Sequence, residues 1–403
     1  MPASHPDSLT PLPDSTLAGS VIVGMSGGVD SAVAALLLQR GGYDVQGLFM
    51  SNWEEDDDDA YCTTADDFQD ARQVCETLGI VLHRVSFAAQ YRERVFQLFL
   101  REYAAGRTPN PDVLCNREIK FGVCLDYMHR LGASRIATGH YARLRHTPTG
   151  TQLLKATDTA KDQSYFLHAV PAAALGKTLF PIGDLHKTEV RRLAHAAGLP
   201  VYDKPDSTGI CFIGERPFQE FLGRYLHTEP GPVENDAGLV LGEHRGLALY
   251  TLGQRSGLGI GGRAGSAAAP WYVADKDMAR NALIVVQDQD HPLLLSDAFD
   301  VEQMHWLTSG EVGAEPIDCA VKTRYRQNDL RCTVRPSAPA STDPIWRVDL
   351  REPARAVTPG QYAAFYSGAR CLGGGVIARR FNSRLDADAR GITYNRHFSV
   401  EGS

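Results

Sequence analysis

Two of the eight cysteines, Cys115 in GRTPNPDVLCN (106–116) and Cys211 in DSTGICFIG (206–214), stand in polar, turn-forming surroundings. A thiol with an ordinary pKa of about 8.5 attacks as the thiolate once a base or a lowered pKa supplies it. Asp112 precedes Cys115 by three residues, so the two can face one site, and the prolines around Asn110 stiffen the loop that holds them. The remaining cysteines are at 62, 75, 124, 319, 332 and 371, and no CxxC pair occurs. Structural zinc and thioredoxin-like chemistry therefore lack their usual spacing. Cys75 and Cys124 fall within helical patterns and read as small buried hydrophobes.

A second chemical feature is GMSGGVDS, comprising Gly24, Met25, Ser26, Gly27, Gly28, Val29, Asp30 and Ser31. It sits between the apolar run Val21-Ile22-Val23 and an alanine- and leucine-rich helical pattern. Paired glycines at a strand-to-helix turn let main-chain N–H groups approach an anion, and the helix presents its positive end to the same anion. Ser26 and Ser31 are candidate hydroxyl donors. Asp30 suits polyphosphate only as a magnesium contact or a helix-start residue. No GxxxxGK[ST] spacing and no lysine occur in the loop. That disfavours γ-phosphoryl transfer and favours holding β,γ-pyrophosphate as a leaving group. The loop resembles the PP-loop of ATP pyrophosphatases, which activate a carbonyl oxygen by adenylation. Met50 and Gly139, each ending a strand pattern, then become candidate adenosine contacts.

These residues need a frame. Apolar runs predict strands over 20–24, 43–49, 80–86 and 134–138, with helices over 64–78 and 116–131 between them. Such alternation predicts a doubly wound parallel α/β sheet with ligands at the carboxyl ends of its strands. The expected division is a disordered tail over 1–19, a catalytic ATP-binding domain over 20–208, a small central domain over 209–283 and an all-β, barrel-like domain over 284–403. The runs ALIVVQ, CAVKTRYR, IWRVDL and CLGGGVIARR supply the last. Read as a strand, Lys322-Thr-Arg-Tyr-Arg326 puts Lys322, Arg324 and Arg326 on one face, about 6.6 Å apart, a spacing suited to successive phosphates. Tyr325 on the other face packs inward or stacks on a base.

Composition sets limits. With 403 residues, 43% hydrophobic and 22% charged, the chain fits a soluble protein of two or three domains. The net charge of −7 does not suit a nucleic-acid binder, but the run Glu54–Asp59 contributes six acids by itself, and residues 284–403 are almost balanced, with 14 Lys+Arg against 15 Asp+Glu. Local basic faces are thus compatible with it. The first twenty residues carry no Lys or Arg, against a secretory or mitochondrial leader, and no apolar stretch nears the ~20 residues of a membrane span. A cytoplasmic protein is expected.

Taken together, GMSGGVDSAV, GLFMSNWEEDD, AGRTPNPDVLCNREIKF, IATGHYAR, KDQSYFL, DSTGICFIGER, LGQRSGLGIGG, KTRYRQ and CLGGG make nearly the whole chain resemble the bacterial tRNA-specific 2-thiouridylases. The resemblance implies ATP, with Mg²⁺, adenylating the C2 oxygen of a wobble uridine, and a cysteine persulfide delivering sulfur as AMP leaves. By motif it places ATP on Gly24–Ser31, Met50 and Gly139, and the target base on Asn110, Pro111 and Asp112. Cys115 becomes the nucleophile or resolving thiol and Cys211 the persulfide carrier, the two pairing transiently as a disulfide. His140, Lys161, Asp162, Gln163, Arg324, Tyr325 and Gln361 are implied to touch tRNA. Partners implied are the tRNAs for Lys, Glu and Gln, and a sulfur-relay protein or cysteine desulfurase as donor. Alternatives stay open: a PP-loop synthetase or amidotransferase acting on another carbonyl, a non-catalytic nucleotide-binding module, and an iron–sulfur cluster on Asp112, Cys115 and Cys211, although clustered cysteines are missing.

Overall fold

The computed structural model describes residues 19–53, 64–206, 218–260, 269–307, 315–337 and 344–382. The acidic run 54–59 and the Cys211 loop lie outside them, as do the first eighteen residues.

The first layer is a parallel sheet of β1 (Ser20–Gly24), β2 (Asp44–Ser51), β3 (Leu82–Ser86), β4 (Arg135–Ala137) and, further along the chain, Thr178–Leu179, in the order β3-β2-β1-β4 and then that last strand. The centre of β1, Val21-Ile22-Val23, is fully buried, as a strand covered on both faces requires. Helix α1 (Val29–Arg40) is apolar nearly all round and correspondingly buried, while α2 (Thr64–Leu78) covers the sheet with Ala71, Val74 and Cys75. Burial drives the Cys75 thiol up to about 11 and the Cys124 thiol up to about 12, so both are inert core groups.

The helix expected over 116–131 runs from Pro111 to Arg130, but its middle, Cys115–Val123, is a π-helix. Within it Gly122 faces the Arg117 carbonyl so closely that a Cβ there would approach the oxygen to 2.9 Å, so the position suits glycine. Such π segments recur at functional sites.

The hairpin β5 (Ala142–Thr147) and β6 (Gly150–Lys155) departs from the expected plan. Although it follows β4 directly, it leaves the parallel sheet and joins the C-terminal one. With Thr178–Leu179 as β7, the central region then builds a four-stranded sheet from β8 (Gly231–Asn235), β9 (Val240–His244), β10 (Trp271–Asp277) and β11 (Ala282–Gln287). The run ALIVVQ is therefore not part of the C-terminal β domain. As β11 it lies between β10 and β8, and its first five residues are all buried, the pattern of a central strand covered on both faces.

Six antiparallel strands close the C-terminal barrel: β12 (Leu295–Trp306), β13 (Ile317–Lys322), β14 (Leu330–Pro336), β15 (Trp346–Arg355), β16 (Tyr362–Ser367) and β17 (Arg370–Phe381), with β12 pairing β17. Phe299, Val301, Val321, Val334, Val348, Phe365 and Ile377 fill it. The β5–β6 hairpin is appended through a bridge from Leu154 to Arg370.

His168 lies at this junction. Its ring packs 5.2 Å from the Tyr362 ring and occupies the space a side chain on Gly374 would need. Burial holds its pKa down to about 4, and its Nδ1 bonds the Tyr165 carbonyl at 2.6 Å. The unfolded chain protonates His168 first, near ~6.5, so the stability from keeping it neutral is complete above that pH and is lost as pH falls towards 4. The wild type should lose about 2 kcal/mol between pH 7 and pH 5 that His168→Gln does not lose. Urea midpoints at the two pH values measure it; equal losses in both proteins would contradict a buried neutral ring.

Candidate functional site

The glycine loop lies at the carboxyl end of β1, where the sheet order reverses between β2 and β4, the position open α/β sheets use for ligands. Gly28 caps α1 in an extended conformation with no side-chain acceptor, so the first-turn amides keep their capacity for an anion. Gly27 adopts φ +74°, and the main chain at Asp67 fills the space any Cβ would take. Ser31 Oγ donates to the Gly28 carbonyl at 3.0 Å and lies 3.2 Å from both the amide and the hydroxyl of Ser26, which sets the loop's shape. Met50 and Gly139 flank it. A Cβ on Gly24 would meet Met50 Cε at 3.5 Å, and one on Gly139 would meet the Asp30–Ser31 peptide at 2.6 Å. The structure thus brings Gly24–Ser31, Met50 and Gly139 together.

The cations missing from the loop come from elsewhere in the sequence. Lys187, first residue of the helix Lys187–Ala196, donates to both oxygens of Asp30 at 2.8 Å and to Asp206 at 2.7 Å. Tyr141 Oη donates to Asp30 at 2.8 Å, and burial together with Asp30 raises the phenol's pKa. Lys204 reaches the Gly27 carbonyl at 3.2 Å, Asp67 at 2.8 Å and also Asp70. Lys161 and Arg191 close on Asp206 at 2.5 and 3.2 Å. Burial pushes the Asp206 carboxyl up, but hydrogen bonds from Lys161 and Lys187 override it and hold its pKa at about 2. Lys187 and Lys204 escaped the sequence reading. The one local signal was a lysine in a helix's first turn, against the dipole, which calls for another reason for its presence.

Asn110 takes the N-cap position, its side chain accepting from the Asp112 amide at 3.2 Å, and Pro111 follows with φ already suited to a helix. Cys115, 1% exposed, opens the π segment. Next to it, Asn116 donates to the Phe166 carbonyl at 3.1 Å, and the Phe166 ring lies 4.5 Å from that of Tyr325. Tyr325 thus braces the segment behind the cysteine.

The expected charged strand face is overturned. β13 ends at Lys322, and Arg326 has φ +62°, so 323–326 form a turn without period-two geometry. Lys322 points inward, 3.9 Å from Asp162 and from Asp329 and over the Tyr366 ring. Arg324 donates to the Arg355 carbonyl at 2.6 Å, and burial and Arg355 depress its pKa. The other residues expected to meet RNA are engaged within the protein. His140, 9% exposed, bonds Thr138 at 2.7 Å; burial first, and Lys120 second, keep it neutral. Asp162 accepts from the amides of Ala156 and Ser164 at 3.0 and 3.2 Å. Gln163 accepts from the Tyr141 amide at 2.9 Å, and Gln361 donates to the Thr108 carbonyl at 2.8 Å.

A sheet of this order, with an uncapped glycine loop at its switch point and a closed antiparallel barrel downstream, defines a multidomain protein of the PP-loop class. Residues 19–215 match the family described as the tRNA methyl transferase HUP domain, 219–287 the tRNA methyl transferase PRC-barrel domain, and 296–377 the aminomethyltransferase beta-barrel domain. The chain is 56% identical over 370 residues to the tRNA-specific 2-thiouridylase MnmA of Methylococcus capsulatus, covering 92% of this chain and 99% of that protein. The proteins of the same name from Tolumonas auensis and Vibrio cholerae are 56% identical over 366 residues and 55% over 363, covering 91% and 89% of this chain and 98% and 96% of theirs. The chain belongs to the tRNA-specific 2-thiouridylase family.

Proposed function

We propose that this protein uses ATP to convert a wobble uridine of tRNA to 2-thiouridine. The observation that carries the reading is the uncapped start of α1, facing a loop ringed by Lys187, Lys204 and Asp30. Amides and lysines there hold β,γ-pyrophosphate while the uracil C2 oxygen attacks the α-phosphorus. Pyrophosphate leaves, and C2 becomes electrophilic. Methyl transfer, the reaction in two of the matching domain names, would make no use of a polyphosphate cradle.

Asp30, with its side chain 31% exposed, is the carboxylate that a magnesium ion carried on ATP would meet, provided Lys187 yields an oxygen. The metal would neutralise phosphate charge. Asn110, Pro111 and Asp112 receive the base. Cys211 carries the persulfide, and Cys115 attacks it or the activated C2. The tRNAs for Lys, Glu and Gln, and a persulfide-supplying protein, are the implied partners. Among the described residues, which do not include Cys211, no group of three or more His, Cys, Asp and Glu side chains could hold a metal ion. Among those residues no helix is long and apolar enough to cross a membrane.

ATP–pyrophosphate exchange with and without tRNA, followed by nucleoside mass spectrometry, tests the reading. Exchange that depends on tRNA and yields 2-thiouridine is expected. Exchange independent of tRNA, with no thiolated nucleoside, would leave a synthetase acting on another carbonyl.

A further inference from the structure

The loop that precedes the base-binding residues is held by the two β domains more than by its own. Gly106 has φ +74°, and Met278, just beyond β10, packs where its side chain would be. Lys276 of β10 donates to the Gly106 carbonyl at 3.0 Å. Arg107 lies between Glu102 of its own domain at 2.6 Å and Glu302 of β12 at 2.8 Å. The Thr108 amide donates to the Pro359 carbonyl at 3.0 Å, and Gln361 Nε2 reaches the carbonyls of Thr108 at 2.8 Å and Pro109 at 3.4 Å. Asn110 and the helix leading to Cys115 follow immediately.

From this we infer that Lys276, Glu302 and Gln361 are positioning residues: they set the 106–109 loop so that the base seated on Asn110–Asp112 meets ATP in line. The inference rests on the adenylation reading and adds that the β domains complete the active site, beyond any grip on RNA. Main-chain carbonyls and amides define the loop's place to within a hydrogen bond's tolerance, and a misplacement of about 1 Å between reacting groups can cost on the order of 100-fold in rate. Gln361, implied by resemblance to touch tRNA, directs its amide nitrogen at the loop.

The test uses the full chain with Gln361→Leu, Lys276→Met, Glu302→Gln and Lys276→Arg. It measures tRNA-dependent pyrophosphate release at saturating tRNA and ATP, with tRNA and ATP dissociation constants taken separately. Gln361→Leu and Lys276→Met should lower the saturated rate on the order of tenfold or more, with tRNA affinity within about threefold and ATP affinity within about twofold. Lys276→Arg, which keeps a donor, should recover most of the rate. An unchanged saturated rate would overturn the inference. So would tRNA affinity weakened more than tenfold with a normal saturated rate, which would make these residues RNA contacts. If Gln361→Leu does not fold, Lys276→Met and Glu302→Gln apply the same criteria. Wild-type release tests the adenylation reading separately, because a wild type that releases no pyrophosphate refutes that reading whatever the variants do.

Discussion

Asp30→Asn should reduce pyrophosphate and AMP formation by 100-fold or more while leaving tRNA affinity within a few-fold. Both carboxylate oxygens now accept from Lys187, and one also accepts from Tyr141. An amide offers one acceptor oxygen and no charge, so it can hold neither the ammonium in place nor a magnesium ion on the phosphates. Removing one preorganised electrostatic group from a site of this kind typically costs about 10²–10³ in rate. Lys187 and Tyr141, which hold Asp30, lie beside the glycine loop, hence the spared RNA affinity. Single-turnover release from α- and γ-labelled ATP, beside filter binding of tRNA, reads both quantities. Near-normal release would end the assignment of this loop.

The second large effect concerns sulfur. If Cys115 attacks the Cys211 persulfide, the sulfane sulfur leaves as hydrosulfide, adds to the adenylated C2 and expels AMP, while the two cysteines are oxidised to a disulfide of ~2.05 Å. One turnover without reductant should then give one thiolated base per enzyme and a Cys115–Cys211 linked peptide. Cys115→Ser should accept persulfide sulfur at Cys211 yet leave tRNA unthiolated, and Cys211→Ser should accept none at that position. Cys115 is 1% exposed, so its reaction also requires its surroundings to admit the base and the second sulfur. Non-reducing peptide mapping and nucleoside mass spectrometry decide the matter. Normal turnover by Cys115→Ser with reductant present would remove its role, and activity in both serine variants would remove the mechanism.

The parts of this architecture that announced themselves in the sequence were local. Val21–Val23 next to GMSGGVDS carried strand, turn and helix start within a dozen residues, and the structure has all three there. Lys187 could not be read the same way, because it meets Asp30 only after the chain has crossed the sheet and returned. Lys322–Arg326 misled for a physical reason. Alternating charges mimic a strand, but the segment has little apolar surface to bury, and a positive φ at Arg326 reverses the chain. ALIVVQ was recognised as a strand, yet its partners depend on contacts with segments about fifty residues away. The prolines around Asn110 were legible as stiffening the 106–116 segment, but the helix expected from 116 already starts at Pro111, with Asn110 as its N-cap. Nothing local marked Lys276, Glu302 or Gln361 as neighbours of Gly106–Pro109.

The hairpin that leaves its own sheet carries a consequence for biosynthesis. β5 and β6 leave the ribosome early, yet the strand they pair with ends about 200 residues later. At roughly 5–20 residues per second, that partner arrives on the order of ten to forty seconds afterwards. Throughout that interval the Leu154–Lys155 end of β6 lacks its partners at Ala369 and Arg370, and the pocket for His168 does not yet exist. Unsatisfied edges of this sort recruit other chains. A chain broken before β17 would therefore lack both the Leu154–Arg370 bridge and the Gly374 side of the His168 pocket.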